Sequence, residues 1–178
     1  MTDPTARYPA SMRWLHWSIF GFVLIAYVLI NIFEWFPRGS AARMNILTSH
    51  YLAGLAVLLL ILPRVWLRKQ HVAPPIVPSL DRWSDLLYKI THLALYLFLL
   101  IQPILGIVTL QIAGKSVSWF GVTLLPSFVA TPDRAFAHQF EDIHATLGEI
   151  FYWVIGLHIL AALWHHFGRR DNTLKRMV

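Results

Sequence analysis

Cysteine is absent from all 178 residues. That removes disulfides, iron–sulfur clusters, thiolate zinc sites and covalently attached c-type haem. Charge is scarce too: 13% of the chain is Asp, Glu, Lys or Arg, against on the order of 25% in a soluble domain. The balance is basic, +6 with a pI near 10.0. The Lys and Arg residues stand at the ends of apolar blocks, where they set topology, so nucleic acid is not the partner they indicate. No Asp or Glu is read at mid-membrane depth, and no internal repeat is evident.

What is present is apolar surface: 57% hydrophobic residues and a mean hydropathy of +0.55. It falls into four blocks, about residues 9–34, 44–67, 85–112 and 139–168, each long enough to cross a bilayer as a helix. The sequence therefore predicts an all-α integral membrane protein, a four-transmembrane-helix bundle forming one domain over residues 1–178. The first block is too long for a signal-peptide core and carries His16 among tryptophans, so it reads as a retained span. Residues 1–8 are polar and read as frayed. Pro37 and Gly39 break the chain after the first block, and Pro74, Pro75 and Pro78 exclude regular helix after the second. Gln102-Pro103 predicts a kink in the third. The stretch 113–138 is too broken to span and too apolar for a free linker; it is expected to lie over the bundle at the interface.

Four spans put both termini on one side. Arg7, Arg13, Arg64, Arg68, Lys69, Arg82, Lys89, Arg169, Arg170, Lys175 and Arg176 lie on that side, against Arg38, Arg43, Lys115 and Arg134 on the other. The positive-inside rule then makes the termini cytoplasmic. Trp14, Trp17, Trp35, Trp83, Trp119 and Trp164 sit near span ends, as an aromatic belt requires.

Histidine carries the chemistry. His144 and His158 are separated by about 1400° of helix, ~40° short of whole turns, so they share one face of the fourth block. They lie roughly 21 Å apart along its axis, near opposite edges of a ~30 Å hydrocarbon layer. At matching depths, His16 pairs with His158 on the cytoplasmic side and His50 with His144 on the outer side. His92 is left on the cytoplasmic side without an equivalent partner. One histidine in an apolar helix is as readily a hydrogen-bonded core residue as a ligand. Four at matched depths are costly enough to indicate function. Zinc or copper would also take imidazole, but such sites usually recruit a third or fourth protein ligand. Two trans imidazoles on a planar macrocycle fit better, so the pairs read as axial ligands of two haem b groups. His71 and His138 are assigned to solvated connections. His165 continues the ligand face, about 20° round the helix from His158; it reads as a candidate to hydrogen-bond a quinone carbonyl or carry protons, or, like His166, as an interfacial residue facing headgroups.

These residues carry a family resemblance. Arg13-Trp14-Leu15-His16-Trp17, His50 followed by Gly54 and Arg64, His92 ahead of Pro103 and Gly106, His144, Gly156-Leu157-His158, His165-His166 and the tail Asp171-Asn172-Thr173-Leu174 together resemble the bacterial cytochrome b561 family over essentially the whole chain. The resemblance implies a bundle in the bacterial inner membrane with two b haems, held at His16, His50, His144 and His158. It is nearest to members that oxidise periplasmic superoxide and reduce ubiquinone. It implies outer-sphere electron transfer, since both axial positions of each iron are filled. Arg38, Arg43, Lys115 and Arg134 are then the outer cations available to draw in the superoxide anion, and His165, His92, Arg13 and Trp17 the candidates for the quinone site. Two other readings stay open: a quinone-linked cytochrome b subunit of a dehydrogenase or hydrogenase complex, and a non-redox, histidine-lined metal or proton transporter.

Overall fold

The computed structural model describes residues 6–178. Residues 1–5 of the segment expected to be frayed lie outside that range. Tyr8, in contrast, is buried, with its amide donating to the Arg176 carbonyl at 3.0 Å.

Four helices carry the fold: α1 (Ala10–Ile32), α2 (Ala41–Gln70), α3 (Arg82–Ile112) and α4 (Arg134–Leu163). All four are long and apolar enough to cross a membrane. Consecutive helices pack on one another, α1 on α2, α2 on α3 and α3 on α4. A small core of Ile19, Val57 and Ile61 lies between α1 and α2, with Tyr96 and Leu99 of α3 packed against it. The outward faces stay apolar: Trp14, Leu59, Trp83, Trp153 and Leu157 are all more than half exposed. A soluble monomer rarely leaves so much apolar surface uncovered, whereas lipid covers it at no cost.

Each helix after the first begins earlier than hydropathy predicts, because a cap starts it. Ser40 accepts from the Arg43 amide, Asp81 from the Trp83 and Ser84 amides, and Asp133 from the Phe136 amide. These side chains satisfy amides that a helix start leaves without partners. The shift is largest at α4, which starts at Arg134 where residue 139 was expected. His138 is consequently on α4, paired with Asp142 one turn on at 3.2 Å, and not in a connection. After Leu163 the helix widens into one π-helical turn, Trp164–Gly168.

The connection from α3 to α4 contains two strands that the sequence did not predict. Strands β1 (Val117–Trp119) and β2 (Val122–Leu125) pair antiparallel, with β1 resting on α2. At the opposite end, the C-terminal tail folds back over the bundle. Asn172 accepts from the Val77 amide at 2.8 Å, and Arg176 donates to the Pro74 carbonyl at 2.5 Å. The molecule thus has a hairpin end and a terminal end.

Candidate functional site

At the hairpin end, α2 and α4 turn two imidazoles toward each other. The rings of His50 and His144 have centres 6.2 Å apart and planes at 85°. The Nδ1 of His50 lies 2.9 Å from the Ala26 carbonyl on α1, and that of His144 lies 3.0 Å from the Gln102 carbonyl on α3. A carbonyl only accepts, so each Nδ1 carries the proton and each Nε2 keeps its lone pair. Such a hydrogen bond fixes the tautomer and ring orientation of a metal-ligating histidine. Two imidazoles trans on one metal, about 2 Å from each nitrogen with each ring centre ~1 Å further back, stand about 6 Å apart. The observed pair has that spacing.

The surroundings fit a flat cofactor. The Gln102 side chain donates to the His144 carbonyl at 2.7 Å, so Gln102 and His144 hold each other twice across α3 and α4. Gly106 faces the His144 ring: an added Cβ would stand 3.4 Å from its Cε1, an ordinary van der Waals contact. A cavity of about 550 Å³ is lined by His50, Gly54, Gly106 and His144, with Val117 and Leu125 of the hairpin over it. An added Cβ at Gly54 would meet nothing within 4 Å, which leaves that wall smooth. The volume lies within the roughly 300–1,000 Å³ of small-molecule sites.

At the terminal end, His16, His92 and His158 lie within electrostatic reach of one another and of Arg64. His92 and His158 are the closer pair, ring centres 5.3 Å apart at 82°. That falls short of the ~6 Å a metal between two rings requires. His92 donates from Nδ1 to its own helix at the Tyr88 carbonyl, 2.7 Å away. The His16 ring meets Trp17 edge-on at 5.2 Å. Arg64, tied to the Met12 carbonyl at 2.7 Å, stands among these histidines. In the sequence it stands both among the basic residues at block ends and among the residues that carry the family resemblance.

The remaining candidates divide. Lys115 and Arg134 line the cavity of His50 and His144. Arg38 and Arg43 line a separate pocket with Glu34 and Trp35, where Arg43 donates to the Phe36 carbonyl at 3.0 Å and lies over the Phe33 ring. Three of the four quinone candidates hold the C-terminal tail. Arg13 donates to the Val178 carbonyl at 2.5 Å, Trp17 to the Met177 carbonyl at 2.9 Å, and His165 Nδ1 to Asp171 at 2.5 Å. The Asp171 side chain is fully buried, with Arg169 also 3.6 Å away. Burial works to raise its carboxyl, but donation from His165 and the Thr173 amide outweighs this and holds it below the usual carboxylate range. Exposed Asp81 is held at about 2, chiefly by donation from the Ser84 hydroxyl and amide.

One expectation needs correcting. Glu149 lies on α4, five residues past His144, so a carboxylate does stand between the depths of His144 and His158. Five residues turn roughly 140° round a helix, and Glu149 is exposed on the outside of the bundle. It does not join the histidines. Among the described residues no three of His, Asp or Glu gather to hold a bare metal ion.

Comparison with known proteins accords with this arrangement. A family model described as prokaryotic cytochrome b561 matches residues 7–178. The chain is 36% identical over 172 residues to "Cytochrome b561 homolog 1" of Escherichia coli K12, covering 97% of each protein. It is 33% identical over 172 residues to "Probable superoxide oxidase CybB" of Yersinia pestis, covering 97% of this chain and 96% of that one. It is 32% identical to "Cytochrome b561 homolog 2" of Escherichia coli K12, over 99% of this chain and 94% of that one.

Proposed function

We propose that this chain, which belongs to the prokaryotic cytochrome b561 family of membrane haem b electron-transfer proteins, is a di-haem superoxide:ubiquinone oxidoreductase. The observation that carries the reading is the facing pair His50 and His144 in a cavity whose lining includes Lys115 and Arg134. The name of the Yersinia pestis relative, a probable superoxide oxidase, supports the donor.

In this reading His50 and His144 would hold one haem b, and His16 and His158 the other. Haem b supplies a one-electron couple. A haem held between two imidazoles would supply outer-sphere electron transfer, leaving the protein's own residues to bring superoxide to the cavity. Lys115 and Arg134 concentrate the anion at the cavity, Arg38 and Arg43 adding to the field beside it. Two superoxides give two O₂ and two electrons; ubiquinone takes those electrons and two protons to become ubiquinol. His165, His92, Arg13 and Trp17 serve the quinone end, where Asp171 orients His165 and the imidazoles move protons. The terminal end faces the cytoplasm and the hairpin end the outside of the bacterial inner membrane, following the basic residues.

The test is stopped-flow spectroscopy of the haem-loaded protein with superoxide, with and without a ubiquinone analogue. Rapid reduction of a b-type α band, then reoxidation by the quinone, is expected. A band that ignores superoxide overturns the donor assignment and leaves a cytochrome subunit of a larger complex as the better reading.

A further inference from the structure

Residues 116–132 form a run of 17 without a single charged side chain, between Lys115 and Asp133. In a loop bathed by water that composition is unexpected, since loop surfaces are ordinarily polar. The run holds the hairpin, and its large apolar side chains point away from the protein. Phe120 is 91% exposed and Phe128 79%, with Val122 and Leu124 both more than half exposed. The opposite side is anchored: Val117 is buried and β1 rests on α2.

The tip adds a second observation. Trp119 pairs with Val122, so Phe120 and Gly121 alone make the turn, at φ 47° and 80°. A two-residue turn with both φ positive favours Asn-Gly or Gly-Gly. A phenylalanine there is in a strained conformation that bulky residues rarely adopt. The chain holds a phenylalanine, almost fully exposed, at this unfavourable backbone position, and holds it outward.

We propose that the hairpin is a membrane foot: Phe120, Val122, Leu124 and Phe128 insert among the lipids of the leaflet at the hairpin end. Its base joins the ends of α3 and α4, two of the helices long and apolar enough to cross a membrane. Apolar surface free of charge suits acyl chains. Because Val117 and Leu125 line the cavity of His50 and His144, the foot also seats one wall of that cavity on the bilayer.

The absence of cysteine makes the test direct. Phe120→Cys and, separately, Phe128→Cys would each carry one environment-sensitive fluorophore in the full chain, reconstituted in phosphatidylcholine–phosphatidylglycerol nanodiscs. The same label on Lys175→Cys, an exposed tail position, gives the aqueous reference. Insertion predicts a blue-shifted emission at both hairpin sites. It also predicts quenching several-fold stronger by lipid carrying a nitroxide near the headgroup than by aqueous iodide, with the reverse order at the tail. Hairpin labels that iodide quenches as readily as it does the tail label overturn the proposal and leave the patch to a protein partner. The two labelled sites stand independently, so failure of one variant to assemble leaves the other decisive. Superoxide activity is not read, so this outcome is separate from that of the proposed reaction.

Discussion

Counting haems in histidine variants tests the pairing of ligands more sharply than any activity. If the chain holds two haems as proposed and His50 and His144 share one iron, either His50→Ala or His144→Ala lowers the haem content from two per chain to one. The double variant lowers it no further, because the second substitution removes a ligand from a site already lost; within a pair the effects are non-additive. Across pairs they add: His144→Ala with His158→Ala empties the protein. The magnitude follows from ring spacing. His50 and His144 at 6.2 Å match the ~6 Å that a metal between two imidazoles sets. His92 and His158 at 5.3 Å fall short by most of an ångström, and the proposed reading pairs His158 with His16 instead. His16→Ala should therefore cost one haem, and His92→Ala should keep two while changing the terminal-end haem only through its surroundings. The assay is the pyridine haemochrome content of purified protein, with reductive titration to identify which potential disappears. Two haems retained in His144→Ala refute the pairing at the hairpin end. Loss of a haem in His92→Ala with retention in His16→Ala refutes the spacing argument at the other.

Three further outcomes follow. Neutralising Lys115 and Arg134 together to glutamine should slow haem reduction by superoxide about tenfold at low ionic strength, the gap closing as salt screens the field; the same change at Arg38 should do less, since it lies off the cavity, and stopped flow at two salt concentrations compares them. Asp171 has a depressed folded-state pKa, so its contribution is complete above the unfolded carboxylate value, near 4, and drains away as pH falls through the folded value; hydrogen-exchange protection of the Arg176 and Met177 amides should hold at neutral pH and decline in acid, and Asp171→Ala, leaving the His165 and Thr173 donors unpaired, should weaken the tail by ~1–3 kcal/mol. Gly168→Ala would place a Cβ 2.8 Å from the Trp164 ring, so it should disturb the π-helical turn and the His165–Asp171 contact, detected as loss of the same tail protection, whereas Gly106→Ala, at 3.4 Å from His144, should keep its haem.

What the sequence yields and what it withholds divide along the range of the interactions involved. Spans and histidine depths are legible because hydrocarbon imposes a length and a polarity that each segment must meet alone. Ser40, Asp81 and Asp133 are equally local signals; hydropathy alone starts three helices late, and the Asp133 cap is what places His138 on α4. The hairpin escapes a periodicity reading because its strands have three and four residues and only one side is packed. The tail is of a different kind. Asn172 and Arg176 are held by groups far away in the chain, at Pro74, Pro75 and Val77, whereas buried Asp171 meets His165 and Arg169 close by; an exposed polar C terminus is the default for such a composition. The consequence reaches the candidate site, since Arg13, Trp17 and His165 look like free groups in the sequence and are tail-binding groups in the fold. If quinone uses them, it does so beside the tail or in exchange with it. Deleting residues 171–178 separates these cases: a lower KM for ubiquinone would mark the tail as a competitor, and a lost quinone-driven reoxidation with both haems retained would mark it as part of the site.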